Sequence, residues 1–255
     1  MNETQTKALA AYLVALADDE LILGHRDSEW TGHAPILEED IAFANLALDE
    51  IGHARLWYEL AADLMGVERA RFPDRQVYFR PAADFRCLQF VELPKGDWAF
   101  SMLRQYLFDA FEQHRLARLV KSEYQPLADV AARIRTEEIY HLRHTRAWVP
   151  RLGLGTEESR ARMQAALDEL WPYAQALGAP LPGELELEEE GLVPGGGSLF
   201  AVWSAEVTSL LKEAGLLVSF ADNEVEADRA VHSEYFPALI ADLQEVAQLD
   251  PAAQW

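Results

Sequence analysis

Two copies of a Glu-x-x-His spacing occur in this chain, and each follows a further glutamate. Glu20 precedes Glu50 by 30 residues, and Glu112 precedes Glu138 by 26 residues. Positions three residues apart lie on the same face of a helix, so each Glu and His pair can bind one metal ion from one side. Four carboxylates and two imidazoles that project from four helices form the di-iron or di-manganese site of a carboxylate bundle. The candidate ligands are Glu20, Glu50, His53, Glu112, Glu138 and His141.

The spacing predicts how these ligands are shared between two metal ions. One ion is expected to take Glu20, Glu50 and His53. The other is expected to take the remaining ligands, Glu112, Glu138 and His141, with Glu50 and Glu138 as the bridging carboxylates. Carboxylate and imidazole ligands suit non-haem iron and leave positions open for O2. The predicted cofactor is therefore di-iron, with manganese or an unoccupied site as open alternatives.

Three further carboxylates are candidates for holding the imidazoles in place. A metal-bound histidine usually donates its distal N–H to a carboxylate, which fixes the orientation of the ring. Asp49, Asp109 and Glu137 lie next to a predicted ligand or one helical turn away from it. We therefore predict that they surround the site without binding the metal.

A single Glu-x-x-His pair on an acidic helix usually lies on a solvated face, so burial is what supports a metal site. The predicted ligands have apolar neighbours at helical spacing, such as Leu16 and Leu23 around Glu20. Burying several carboxylates without cations costs much free energy or forces their protonation. The six positions together therefore favour a metal site over a solvated acidic surface.

The composition predicts an all-α protein, because Ala, Leu, Glu and Arg are abundant and period-two alternation is scarce. We expect a single ferritin-like domain over 1–255: a four-helix bundle with one long crossover at 67–95, a region punctuated by proline. A surface loop is expected at 178–197, which is rich in Pro, Gly and Glu. The predicted bundle helices span about 6–25, 36–65, 97–124 and 127–152, and accessory helices span about 156–177, 198–217 and 224–249.

Charge and cysteine content restrict the partners and the compartment. The formal net charge of −21 argues against a nucleic-acid partner. Cys87 is the only cysteine, so an intrachain disulfide is impossible. The first residues lack the features of a signal peptide, and no apolar run reaches the ~18 residues that cross a bilayer. We expect a cytoplasmic protein that forms homo- or hetero-oligomers and does not enter a membrane.

Several short segments resemble one known family. These segments are Glu29–Pro35 (EWTGHAP), Ala44–Asp49 (ANLALD), Tyr140–Arg143 (YHLR), Leu170-Trp171 and Gln254-Trp255. On them, and over essentially its whole length, the chain is similar to the C subunits of ring-1,2-phenylacetyl-CoA epoxidases. The resemblance implies a ferritin-like fold and membership of a multicomponent bacterial monooxygenase that acts in aerobic phenylacetate breakdown.

The resemblance also implies a set of partners. In that family a homologous A subunit holds the working di-iron centre and binds phenylacetyl-CoA, and the C subunit pairs with it as a structural partner. A small B subunit assists, and a flavin and iron–sulfur reductase brings electrons from NADPH. The intact ligand set of this chain is also similar to that of the A subunit.

Three interpretations therefore remain open at the level of sequence. The chain is an epoxidase C-type subunit that retains a di-iron-type ligand set, a purely structural scaffold without bound metal, or a stand-alone di-iron oxidase or ferroxidase. The metal content of the purified protein separates the first two interpretations.

Overall fold

The computed structural model describes residues 1–219 and 226–251, and within these ranges the regular secondary structure is entirely helical. The α-helices of this part of the chain are α1 (Glu3–Ser28), α2 (Leu37–Met65), α3 (Phe72–Tyr78), α4 (Gln89–Glu92), α5 (Trp98–Leu119), α6 (Gln125–Gly153), α7 (Glu157–Ala174), α8 (Glu184–Glu189), α9 (Gly196–Glu213) and α10 (Phe236–Leu249). Short 3-10 helices occur at Ala82–Asp84 and Gln175–Gly178.

Local sequence signals set the ends of the long helices. Asn2 begins α1 with a capping box, in which its side chain accepts from the N–H of Gln5 and the Gln5 side chain accepts from the N–H of Asn2. Gly66 ends α2 in the left-handed conformation, with φ of 65°. Asp97 caps α5 by accepting from the N–H of Phe100. These caps satisfy backbone groups that the helices leave unpaired.

The four longest helices form the bundle. Helix α1 packs along α2, and α5 packs along α6, and each pair is joined by a short loop that reverses the chain. The connection from α2 to α5 is long and contains α3, α4 and the first 3-10 helix. Contacts between α2 and α6 join the two pairs. The predicted all-α, ferritin-like bundle with one long crossover and additional C-terminal helices is thereby confirmed.

Accessory helices α7 and α9 pack on α5 and extend the core beyond the bundle. The indole of Trp203 on α9 donates to the carbonyl of Leu107 on α5 at 2.9 Å and stacks on the ring of Trp171 on α7, with centroids 5.7 Å apart. These buried aromatic contacts enlarge the apolar core around the bundle.

Two adjacent aspartates of α1 bind the crossover and the C-terminal segment to the bundle. Asp18 accepts from the N–H of Arg86 at 2.7 Å, and its second oxygen contacts Tyr58 and Arg80. Asp19 accepts from the N–H of Leu88 and from Arg229, both at 2.8 Å. Asp18 and Asp19, which directly precede Glu20 on α1, therefore hold these segments against the bundle.

Several helix ends differ from the sequence prediction by a few residues, and three segments differ most. The helix predicted over 224–249 begins only at Phe236, where Pro237 lies in the first turn, as prolines often do at helix starts. Its first two predicted residues, like Gln254 and Trp255, lie outside the described residues. Helix α5 ends at Leu119, earlier than predicted. The expected surface loop at 178–197 contains α8, whose Leu187 is fully buried, so this segment is part of the core.

Among the residues that the structure describes, none of the helices has the length and apolarity that a membrane span requires.

Candidate metal centre

All six predicted ligands are buried, and the most exposed of them, His141, has 5% of its surface accessible. Glu20 comes from α1, and the two Glu-x-x-His pairs come from α2 and α6. The fourth bundle helix, α5, contributes Glu112. Helical periodicity turns these positions toward the interior because their neighbours at three- and four-residue spacing are largely apolar and buried.

The first cluster of ligand atoms, the Glu20 group, consists of Glu20, Glu50, His53 and Glu138, whose ligand atoms all lie within 4.8 Å of one another. The Nδ1 atom of His53 is 3.4 Å from Glu138 Oε1, 3.7 Å from Glu50 Oε2 and 3.9 Å from Glu20 Oε2. Three carboxylates and one imidazole thus face a common point.

The second cluster, the Asp109 group, consists of Glu50, Asp109 and His141. The Nδ1 atom of His141 is 3.4 Å from Glu50 Oε1 and 3.2 Å from Glu138 Oε1. Glu50 belongs to both clusters, and Glu138 contacts both imidazoles. These two carboxylates therefore lie between the two imidazoles, where bridging ligands would be needed.

Glu112 belongs to neither cluster. Its carboxylate is bound by the guanidinium of Arg115, one turn further along α5, and both side chains are buried. Asp109, one turn before Glu112, lies in the position expected for the α5 ligand instead of surrounding the site. The structure therefore brings together five of the six predicted ligands and adds Asp109.

The outer nitrogens of the two imidazoles are held by the two remaining candidate carboxylates. Nε2–H of His53 on α2 donates to Glu137 on α6 at 2.8 Å, and Nε2–H of His141 on α6 donates to Asp49 on α2 at 3.2 Å. The two contacts are reciprocal between the helices, and they direct both Nδ1 atoms toward the interior. This is the usual arrangement of a metal-binding histidine.

Burial and mutual repulsion shift the titration of these groups. Burial, together with the nearby charge of Glu50, raises the pKa of Glu20 well above its usual range. Burial and the charge of Glu138 also raise the pKa of Asp109. Although burial alone would lower the pKa of both imidazoles, the surrounding carboxylates raise the pKa of His53 and of His141 above 6.5. The metal-free cluster therefore retains protons that a bound cation would replace.

Unpartnered polar atoms test whether these residues suit a metal ion. Five atoms of the Glu20 group are buried and have no hydrogen-bond partner among the described residues: Glu20 Oε1, Glu20 Oε2, Glu50 Oε2, His53 Nδ1 and Glu138 Oε2. Buried polar atoms in proteins are almost always satisfied, so such a concentration requires a cause. A divalent cation accepts carboxylate oxygen and imidazole nitrogen as ligands. The Glu20 group therefore fits a metal ion.

Sequence reasoning missed the donors that surround the Asp109 group. The Nε2 amide of Gln105 donates to Glu50 Oε1 and to Asp109 Oδ1, both at 2.7 Å, and Thr145 donates to Asp109 Oδ2 at 2.8 Å. The available signal was spacing, because Gln105 precedes Asp109 by one turn and Thr145 follows His141 by one turn.

A third set of potential ligands, Cys87, Glu92 and His232, lies between the crossover and the C-terminal segment. Both oxygens of Glu92 are already used: Oε1 accepts from the Nδ1–H of His232 at 2.6 Å, and Oε2 accepts from the N–H of Ser233 at 2.6 Å. These hydrogen bonds attach the segment before α10 to helix α4 of the crossover.

Comparison with known proteins agrees with this architecture. Residues 1–255 match the family described as phenylacetic acid catabolic protein. The chain is also 36% identical over 248 residues to the C subunit of the 1,2-phenylacetyl-CoA epoxidase of Escherichia coli (strain K12). This alignment covers 97% of the chain and 99% of the relative.

Proposed function

Because this chain belongs to the phenylacetic acid catabolic protein family, we propose that it is the C-type subunit of a cytoplasmic phenylacetyl-CoA epoxidase. The observation that carries the proposal is the 36% identity to the C subunit of such an enzyme, which extends over nearly all of both chains. Such end-to-end similarity applies to the bundle, the crossover and the accessory helices alike. We propose an A-type catalytic subunit and a small B-type subunit as its direct partners, with a flavin and iron–sulfur reductase as the electron donor.

An exposed apolar face on α2 supports association with another subunit. Leu37, Ile41, Leu48 and Ile51 are all solvent-exposed and follow helical spacing along one side of α2. Tyr140 on the adjacent helix α6 is also exposed. Large apolar side chains grouped in this way on a soluble protein are typical of an interaction surface. In the proposed complex this face contacts the A-type subunit.

The interior cluster supports a second element of the proposal, a bound divalent metal ion such as iron. Iron held by carboxylates and an imidazole would supply a centre at which O2 can be activated. Glu20, Glu50, His53 and Glu138 would hold the ion, because their unpartnered atoms face a common point. Glu137 fixes the imidazole of His53 for this purpose.

The surrounding chain keeps water away from these ligands. Leu16 and Leu23, one turn before and after Glu20, are buried, as is Ala54 beside His53. Dry surroundings strengthen the attraction between a cation and its carboxylate ligands. Helices α1, α2 and α6 thereby provide a preformed site rather than one that assembles on binding.

One observation favours the alternative of a structural scaffold without metal. Arg115 neutralises Glu112 from within the protein, as a structural ion pair does. A scaffold would explain this pair, but it would leave the five unpartnered atoms of the Glu20 group unexplained. We therefore favour a subunit that both pairs with an A-type subunit and binds metal.

Co-expression tests the subunit assignment. The chain is produced with a tag beside the A-type and B-type epoxidase subunits of the same genome, and the complex is isolated on the tag. We expect the A-type subunit to be recovered in a fixed ratio through size-exclusion chromatography. The experiment is carried out at protein concentrations above about 10 μM, which is in the range of the Kd of a weak transient complex. Recovery of the chain alone under these conditions would contradict the assignment.

A further inference from the structure

The two halves of the ligand cluster differ in how their polar atoms are satisfied. We infer that the chain binds a single metal ion, in the Glu20 group, and that Gln105, Thr145 and Arg115 keep the Asp109 group and Glu112 free of metal. This inference rests on the metal site proposed above and contradicts the dinuclear site that the ligand spacing predicts.

The unpartnered carboxylate and imidazole atoms of the cluster lie on the side of Glu20. Within the described part of the chain, both oxygens of Glu20, one oxygen each of Glu50 and Glu138, and Nδ1 of His53 have no hydrogen-bonding partner. Each of these atoms has a lone pair to offer a cation when deprotonated. Binding one ion there satisfies atoms that the protein leaves unsatisfied and breaks none of its hydrogen bonds.

Every ligand atom of the Asp109 group, by contrast, already has a protein partner. Gln105 donates to Asp109 Oδ1 and Thr145 donates to Asp109 Oδ2. The Glu50 oxygen on this side accepts from Gln105 as well, and Nδ1 of His141 pairs with Glu138 Oε1 at 3.2 Å. A second ion would have to displace these bonds before it gained its own ligands.

Gln105 is the central obstacle. Its amide nitrogen is 2.7 Å from one carboxylate oxygen of Glu50 and 2.7 Å from one of Asp109, so its two N–H groups join the two carboxylates. A metal ion that bridged those oxygens would take the place of this amide. The side chain is fully buried, so it has no open solvent into which it can move. The NH2 group that faces the two carboxylates is a donor and has no lone pair to offer a cation.

Arg115 removes the remaining α5 ligand. Its guanidinium binds Glu112 and the residue is only 2% exposed, so a permanent positive charge lies beside the carboxylate that a second ion would need. Arginine remains protonated in proteins, so this charge cannot be released on metal binding. A second divalent ion would meet both electrostatic repulsion and a missing ligand.

Metal titration tests the inference on the full-length chain. Metal-free protein is titrated anaerobically with Co(II), and optical absorption reports binding. Elemental analysis of the desalted protein then gives the number of bound ions per chain. We expect one ion per chain. Two ions per chain would overturn the inference but leave the proposed metal site intact. No bound ion would overturn both, and recovery of the A-type subunit tests the subunit assignment separately.

Two isosteric variants locate the ion. Glu20→Gln is expected to lose the bound ion, whereas Asp109→Asn, the matched change in the other half, is expected to keep it with an unchanged count. The opposite pattern would overturn the inference. Circular dichroism of each variant checks that the helices remain folded. In wild-type protein loaded with Mn(II), electron paramagnetic resonance should show an isolated ion, and an exchange-coupled signal would contradict a single site.

A third variant tests the role assigned to Gln105. Gln105→Glu replaces the donating amide by a carboxylate of the same shape and adds a ligand beside Glu50 and Asp109. We expect this variant to take up a second Co(II) ion. If the folded variant still bound one Co(II) ion per chain, Gln105 would not be the residue that excludes the second ion.

Discussion

The imidazole of His53 on α2 donates its Nε2–H to the carboxylate of Glu137 on α6, with 2.8 Å between the two atoms. The contact crosses from one half of the bundle to the other and links residues that are far apart in the chain. Its counterpart between His141 and Asp49 runs in the opposite direction. Each Glu-x-x-His helix therefore orients the histidine of the other helix.

The first prediction concerns this orientation. Glu137→Ala removes the acceptor that directs Nδ1 of His53 into the Glu20 group, so Co(II) affinity should fall about 10–100-fold. Asp49→Ala is the matched control, because it releases His141 in the half that we expect to be free of metal. Both carboxylates are partly exposed, so neither change opens a cavity in the core. Calorimetric titration measures both affinities, and equal losses in the two variants would mean that both imidazoles bind metal.

A second prediction concerns the buried pair of Glu112 and Arg115. Arg115→Met leaves the Glu112 carboxylate buried without its cation, and breaking such a pair should lower the free energy of unfolding by about 3–5 kcal/mol. The double variant Arg115→Met/Glu112→Leu removes both charges and should recover most of that loss. Urea unfolding at neutral pH gives the values. If the double variant were no more stable than the single one, the ion pair would not explain the position of Glu112.

The third prediction is a pH dependence of the metal-free protein. Burial raises the pKa of Asp27 to about 7, above its ordinary value of 3.8. Between about pH 4 and 7 the folded state therefore holds a proton that the unfolded state has lost, and the free energy of unfolding falls as pH rises across this range. His53 and His141, whose pKa values are raised, contribute in the same direction above pH 6.5.

A single variant checks that sign. Asp27→Asn carries no titratable proton, so the decline in stability between about pH 4 and 7 should be shallower by at most about 1.4 kcal/mol per pH unit. Urea unfolding in the presence of a chelator measures the slope for both proteins. A stability that increased over this range in wild-type protein would contradict the prediction.

The fourth prediction concerns the exposed face of α2. Leu48→Lys places a charge in the middle of the apolar face and should weaken binding of the A-type subunit about tenfold or more. Leu185→Lys on α8 is the control, because Leu185 is as exposed as Leu48 but lies on another helix. Surface plasmon resonance with the immobilised A-type subunit compares the two variants. Equal affinities would place the contact elsewhere.

The sequence predicted the bundle well because its information is local and periodic. Apolar residues at helical spacing located all four bundle helices, and capping residues such as Asn2 and Asp97 support their starts. The last helix was predicted too long, because helix propensity does not reveal that residues before Phe236 bind other parts of the chain, as Arg229 binds Asp19. In that segment the packing of His232 and Ser233 against Glu92 determines the backbone conformation instead.

The ligand set was less predictable on α5. Asp109, Glu112 and Arg115 follow one another at intervals of three residues, so all of them share the interior face of the helix. Spacing cannot decide which carboxylate reaches the cluster and which one binds the arginine. That choice depends on contacts around the cluster, above all those of Gln105 and Thr145 with Asp109.

Anomalous X-ray scattering from crystals of protein loaded with Co(II) would count the bound ions and locate each of them. We expect one anomalous peak per chain, between Glu20, Glu50, His53 and Glu138. A second peak beside Asp109 and His141 would refute single-ion binding, and a bundle interior without any peak would refute the metal site itself.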